Sequence, residues 1–387
     1  MSEHIHSDQT LSDINAAPFI STAKRVVVKI GSALLTEGDT GAIRRDWLNS
    51  VADDIAACRA RGQDVVVVSS GAIAVGRKRL GLTGRSLRLE EKQAAAATGQ
   101  IQLAHAFEEA LARHDVTVAQ ILLTLDDTEE RRRHLNARST INQLLSLKVT
   151  PLINENDTIA TQEIRFGDND RLAARVAVMV SADALVLLSD IDGLYESDPR
   201  TNSYARHIPE VRKVDANVEA MAGVAPVGYS SGGMVTKLQG AKIALAGGCR
   251  MAIANGHAHH PLQRLINGER CTWFLPTSEP RTARKRWIGG ILNPVGSIVI
   301  DSGAEAALSK GRSLLPAGVT VVSGSFERGD PVTIQAADGR VLGRGLSAYG
   351  SADAERIAGH KTGEIYQLLG YRGRDEIVHR DDLVLDQ

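Results

Sequence analysis

The feature that most constrains this chain is a repeated exchange between short β-branched runs and longer stretches with helical period. Val26-Val27-Val28 and Val65-Val66-Val67-Val68 are continuously apolar, so neither face of such a strand can be left to water. Between them Trp47, Leu48, Val51, Ile55 and Cys58 recur at helical spacing, and Gly62 supplies a stop. Strands buried on both faces and joined through helices make a parallel sheet with helices packed on either side. The exchange continues with a helix over about 90–113, strands near 120–123 and 149–153, and a helix over about 171–180. A strand over 184–188, a helix starting near Lys237 and a strand over 251–254 follow. The expected fold class is therefore α/β, a doubly wound and mainly parallel sheet. Ligands of such sheets bind beyond the carboxyl ends of the strands, so the loops after strands are where chemistry is sought.

The pattern breaks after about Leu275. Arg281-Thr282-Ala283-Arg284-Lys285-Arg286 is a basic, polar joint, and beyond it the apolar runs are short and glycine-rich. Strands are expected over 297–300, 319–322, 331–334 and 340–345, with one helix near 304–310, which makes a small, mostly β domain. The expected organisation is a disordered extension over 1–22, an α/β domain over 23–276, a linker over 277–292, a β domain over 293–378 and a tail over 379–387. The opening residues are polar, include His4 and His6, and lack the apolar stretch of an export signal. The longest apolar runs, 65–68 and 176–180, fall far short of the roughly 20 residues a spanning helix needs. No membrane association is expected. Cys58, Cys249 and Cys271 share no metal-ligand spacing and read as reduced thiols of a cytoplasmic protein. A formal net charge of -1 gives no global attraction to nucleic acid or anionic lipid.

Six segments fall at expected strand ends or helix starts. They are Lys29-Ile30-Gly31-Ser32, Ser69-Ser70-Gly71-Ala72, Asn154-Glu155-Asn156-Asp157, Gly167-Asp168-Asn169-Asp170, Ser189-Asp190, and Ser231-Gly232-Gly233-Met234-Val235-Thr236-Lys237. Glycines ahead of a helix let backbone N–H groups approach an anion, and the helix N-terminus adds partial positive charge. Lysines at a strand end and a helix start supply the point charges that phosphoryl transfer requires. Each segment alone has a plainer explanation: a solvated lysine, an ordinary turn, a helix cap. Their shared placement is what favours chemistry. No Walker A sequence occurs, which argues against a P-loop enzyme. His379-Arg380-Asp381 looks like a protein-kinase catalytic loop but has no Asp-Phe-Gly after it. His257, His259 and His260 read as a solvated loop, and no metal site is expected.

At these loops the sequence closely resembles the glutamate 5-kinase family within the amino-acid kinase superfamily. The resemblance runs from about Lys24 to the C-terminus. It rests on Val-Val-Lys-Ile-Gly-Ser, Ser-Ser-Gly-Ala-Ile-Ala-Val-Gly, Ile-Asn-Glu-Asn-Asp, Phe-Gly-Asp-Asn-Asp and Gly-Gly-Met-Val-Thr-Lys. The last ninety or so residues resemble a PUA domain, including Arg284-Lys285-Arg286-Trp287-Ile288 at its entrance. The resemblance implies that Lys29 contacts the transferred phosphoryl group, Lys237 the nucleotide phosphates, and that Asp170 organises both. It implies glutamate binding by Ser70, Asp157 and Asn169. Nucleotide binding is implied for Ser189, Asp190, Ser231, Gly232, Gly233, Met234, Val235 and Thr236, together with Lys29 and Lys237.

The implied cofactors are ATP and Mg²⁺ carried on it, and the implied product is L-glutamyl 5-phosphate, at the first step of proline biosynthesis. A dimer or tetramer, a glutamate-5-semialdehyde dehydrogenase that takes the product, and feedback inhibition by proline are implied as well. Ser189 and Ser231 stand where the family usually has threonine, and Tyr229 and Ser230 alter the loop ahead of Gly232. The alternatives are a relative of the same fold acting on aspartate, N-acetylglutamate or a nucleotide, or an additional RNA-binding role of the PUA domain. Residues 281–387 hold 14 Lys+Arg against 13 Asp+Glu, which argues against RNA.

Overall fold

Strand β1 (Arg25–Ile30) is the pivot of the first unit, because the residues of its two faces feed two different cores. A computed structural model describes residues 17–38, 40–159, 168–223, 233–280, 282 and 293–386. The further strands of the unit are β2 (Asp64–Ser69), β3 (Val118–Leu123), β4 (Thr150–Glu155), β5 (Ala184–Ser189), β6 (Leu194–Tyr195), β7 (His207–Ile208), β8 (Glu210–Val211), β9 (Arg250–Asn255) and β10 (Cys271–Phe274). Eight of them form one sheet in the order β3-β4-β2-β1-β5-β9-β10-β8, while β6 and β7 pair as a small antiparallel ribbon. Strands β3, β4, β2, β1, β5 and β9 run parallel, and β10 turns antiparallel against β9. The sheet is mainly parallel, as the valine runs require.

Eleven helices accompany these strands among the described residues of the unit: α1 (Ala17–Ser21), α2 (Ser32–Leu35), α3 (Arg45–Ala60), α4 (Ala72–Arg79), α5 (Leu89–Ala112), α6 (Leu125–Glu129), α7 (Arg131–Ser146), α8 (Asp168–Met179), α9 (Ala216–Ala220), α10 (Met234–Ala246) and α11 (Pro261–Ile266). Val26, Val28 and Ile30 join a core with α1, α3, α5 and α11, whereas Val27 joins the core with α7, α8 and α10. The twofold period of the strand puts Lys29 on the side of Val27, facing α8.

The second unit contains β11 (Gly296–Ile300), α12 (Ser302–Ser309), β12 (Val319–Gly324), β13 (Pro331–Ala336), β14 (Val341–Ser347), α13 (Ser351–Ile357), α14 (Ile365–Leu369) and β15 (Val378–Leu385). Its five strands lie in the order β12-β11-β13-β14-β15 over a core that includes Ile298, Phe326, Ile334, Tyr349 and Ile357. The unit docks on α7. Arg138 donates to Asp382 at 2.7 Å in a nearly buried pair, Arg131 and Arg132 face Asp330 and Glu327, and Leu135 packs with Leu346.

Several expectations change. Of the expected tail, 379–385 belong to β15 (Val378–Leu385), which pairs with β14 and places His379-Arg380-Asp381 on an edge strand, and 387 lies outside the described residues. The β domain has three α-helices among its described residues rather than one. Helices α13 and α14 are too short to show a helical period. Of the extension expected to be disordered, 17–21 form α1, where Ile20 is fully buried, and 1–16 lie outside the described residues. Most of the expected linker lies outside them too. Lys29 is within β1 rather than in a loop after it, since its neighbours Val68 and Leu187 extend the ladder on both sides.

Candidate active site

Asp170 is the centre of the site. Its side chain lies in the first turn of α8 and is fully buried. Lys29 Nζ stands 2.6 Å from one of its carboxylate oxygens and Lys237 Nζ 3.2 Å from the other. The Thr236 hydroxyl is 3.0 Å from that second oxygen and 2.9 Å from the Gly233 carbonyl. Burial alone would raise the Asp170 carboxyl, but the charges of Lys29 and Lys237, with hydrogen bonds from Lys29 and Thr236, hold it below the usual carboxylate range. The carboxylate therefore stays ionised and has no proton to give. Lys29 and Lys237 are themselves only 7% and 5% exposed, so their charges act at low dielectric.

Local structure explains the convergence. The pleat of β1 turns Lys29 toward α8, as above. Helix α10 brings Lys237 from the other direction, and Gly240, one turn further on, is what lets it come close. A Cβ at Gly240 would lie 3.0 Å from the Asp170 carbonyl oxygen, so the glycine sets the distance between α8 and α10. An acidic residue at the start of α8 is also favoured by the helix dipole.

The expected acceptor-binding residues gather at the neighbouring strand ends. Strands β2 and β4 are paired through Val68 and Ile153, which sets Ser70 beside the segment Asn154–Asp157. Asn169, adjacent to Asp170, donates through Nδ2 to Ser70 Oγ at 2.8 Å, with the Ser69 carbonyl and Asn154 Oδ1 each at 3.2 Å. Asp157 is buried just beyond β4. Two residues with no assigned role belong to this network. Asn154 is 2% exposed and donates to Gln100 Oε1 at 2.7 Å, and Gln100 reaches in from α5. The sequence does carry a signal for Gln100: it falls among Ala95, Ala96, Gly99 and Leu103, on the inward face of an alanine-rich helix.

Helix α4, which begins immediately after Ser70-Gly71, crosses α5 in backbone contact. A Cβ at Gly99 would meet the Ala72 carbonyl oxygen at 1.9 Å, and one at Gly76 would meet the Ala95 carbonyl oxygen at 1.8 Å. The crossing fixes where the Ser70 loop sits.

Of the expected nucleotide-binding residues, Ser189 closes β5 next to β1 and its hydroxyl donates to Asp190 at 2.9 Å. Gly233 caps α10, and Met234, Val235 and Thr236 form its first turn. Ser231 and Gly232 lie outside the described residues. The structure thus joins Lys29, Asp170, Thr236 and Lys237 directly, and Ser70 with Asn169. Ser189 and Asp190 stand at the next strand end. The three cysteines are buried free thiols, with burial pushing Cys58 up to about 11 and Cys271 up to about 12.

The model of the amino acid kinase family matches residues 24–255, which span the site from Lys29 to Lys237. The chain belongs to the amino acid kinase family. Within this family its relatives include the glutamate 5-kinase of Paramagnetospirillum magneticum, 64% identical over 95% of this chain and 99% of the relative. The glutamate 5-kinases of Gluconobacter oxydans and Bradyrhizobium diazoefficiens are 59% and 56% identical, each over 96% of this chain. The PUA domain model matches residues 296–369, inside the second unit, so this amino acid kinase carries a PUA domain docked on its helix α7.

Proposed function

We propose that this protein transfers the γ-phosphoryl group of ATP to the γ-carboxylate of L-glutamate, giving ADP and L-glutamyl 5-phosphate, the first step of proline biosynthesis. The observation that carries this reading is the pairing of Lys29 and Lys237 with the two oxygens of one buried carboxylate, at the carboxyl edge of a sheet from this family. The full-length similarity to glutamate 5-kinases selects the acceptor.

A carboxylate needs no general base to act as a nucleophile. Its oxygen forms the new bond to the γ-phosphorus as the bond to the β-bridging oxygen breaks, and the electron pair leaves with ADP. The barrier is the approach of one anion to another, so the protein's task is positioning and charge neutralisation. Asp170 holds both ammonium groups in place, Lys29 toward the transferred group and Lys237 toward the nucleotide phosphates. Ser189, Asp190 and the segment 231–237 hold the nucleotide, and Ser70, Asp157 and Asn169 hold glutamate. Among the described residues no group of three His, Cys, Asp or Glu side chains suited to a metal ion occurs, and the side chains assigned to the phosphates, Lys29 and Lys237, are cationic. Mg²⁺ would be carried on the nucleotide, where it would supply further neutralisation of the phosphates.

The product is an acyl phosphate that water destroys, which suits direct use by a glutamate-5-semialdehyde dehydrogenase. Proline, a cyclised analogue of the substrate backbone, would compete at the same site. A dimer or tetramer acting in the cytoplasm completes the reading. No described helix is long and apolar enough to cross a membrane.

The test is incubation with ATP, Mg²⁺, hydroxylamine and, in separate reactions, glutamate, aspartate and N-acetylglutamate. Hydroxamate should form with glutamate. Preference for either other acid would overturn the assignment of substrate.

A further inference from the structure

We infer that Gln100, hydrogen-bonded to Asn154, is a positioning residue that anchors the hydrogen-bond polarity of the acceptor site. The inference rests on the reading that Ser70 and Asn169 bind the amino-acid substrate.

Three carboxamides form a chain from α5 to the Ser70 loop, and two backbone groups fix its direction. The Glu155 N–H can only donate, and it donates to Asn154 Oδ1 at 2.9 Å. The Asn154 amide nitrogen must then point the other way, where Gln100 Oε1 accepts from it at 2.7 Å. At the other end the Ser69 carbonyl can only accept, and it faces Asn169 Nδ2 at 3.2 Å. Asn169 Nδ2 also donates to Ser70 Oγ at 2.8 Å, so that hydroxyl serves as an acceptor within the chain. Its own hydrogen remains to be donated onward.

The two ends of this chain are left with unspent capacity. Asn169 Oδ1 and Gln100 Nε2 are buried and have no hydrogen-bond partner among the described residues. Leaving buried polar atoms unpaired is costly, and groups left so in a site mark where a ligand or function takes up the deficit. On the substrate side the result is a donor at Ser70 next to an acceptor at Asn169. That pair is the complement of a carboxylate next to an ammonium group, the polar pattern of a free α-amino acid. Were Asn154 to turn over, its amide nitrogen would meet the Glu155 N–H and the Asn169 amide nitrogen, donor against donor, and turning Asn169 as well would set its oxygen against the Ser69 carbonyl. Among the described residues Gln100 is the side chain that accepts from the Asn154 amide, so it locks Asn154 in this orientation from outside the site.

The experiment is steady-state kinetics on the full-length enzyme with melting temperatures measured in parallel. Wild-type turnover of glutamate is confirmed first, which tests the functional reading independently of any variant. Gln100→Met removes the acceptor at similar volume and should raise the KM for glutamate about tenfold, the loss of one buried hydrogen bond. The KM for ATP and kcat should stay within about twofold. Gln100→Glu retains an acceptor oxygen in either protonation state and should recover most of the lost affinity. Asn154→Asp removes the donor from the other side of the same bond. It should raise the glutamate KM as Gln100→Met does, and the double variant should be no worse than either alone. An unchanged glutamate KM in Gln100→Met, an equal rise in the ATP KM, or multiplied losses in the double variant would each overturn the inference.

Discussion

The two large sheets of this molecule bury charge in different ways. In the first, Lys29, Lys237 and Asp170 are all buried and meet at the carboxyl edge of neighbouring parallel strands. In the second, the buried polar side chains among the described residues are Ser347 and Asp382, and Asp382 turns outward to Arg138 of the first unit. Buried charge is unfavourable against an apolar replacement of the same size, so its location shows where a fold puts it to use. For Lys29, Lys237 and Asp170 we propose that the use is phosphoryl transfer. In the second unit it is attachment, because the buried charge, Asp382, serves the seam with α7.

Substitutions can break this contrast, beginning with the largest effect on activity. Asp170→Asn removes the carboxylate paired with both buried ammonium groups and should abolish turnover, with a stability loss of about 3–5 kcal/mol. Its pH signature is specific. Because the folded Asp170 carboxyl lies below its ordinary 3.8, its contribution is complete above that value and is lost as pH falls through the lower folded value. The acid limb of a stability-versus-pH curve should therefore be shallower for Asp170→Asn than for the parent, and an unchanged limb would deny the coupling. Lys29→Ala should lower kcat by about 10²–10³-fold, the usual loss for one donor to transition-state charge. Retention of half the parent kcat would remove Lys29 from the chemistry.

Gly99→Ala should act more weakly and on binding. The new methyl presses on the Ala72 carbonyl, displaces the head of α4 and raises the KM for glutamate, at about 1–3 kcal/mol of stability. A fall in melting temperature with no change in that KM would uncouple the helix crossing from the Ser70 loop. Arg138→Ala should have the smallest effect on activity. It breaks the seam with the PUA domain and costs about 1.5–3 kcal/mol as a lost charged hydrogen bond, while kcat stays within about twofold. A large drop in kcat would mean that the second unit does more than attach.

The same contrast governs what could be read from the chain. The continuous valine runs gave the parallel sheet, and a search confined to strand ends reached Lys29, Ser70, Asn169 and Asp170. Periodicity reports which side chains face water, and these residues lie where an apolar pattern stops. The partnership of Asn154 with Gln100 spans 54 positions, and that of Arg138 with Asp382 spans 244. Polar pairs at such separation leave no period. Strand β15 is hidden for this reason: His379-Arg380-Asp381-Asp382 reads as a solvated end until Arg138 is brought to it. The bond from Thr236 to Asp170 likewise depends on the packing of α10 against α8, which no local pattern reports.

The central claim is that Lys29 and Lys237 serve one transfer site as a single unit around Asp170, and a double-mutant kinetic cycle tests it most directly. Lys29→Ala, Lys237→Ala and the double variant are compared by kcat under saturating ATP and glutamate. Groups that act as a unit lose far less together than the product of their separate losses, so the double variant should be scarcely slower than the worse single one. Losses that multiply fully would show two independent lysines and contradict the account.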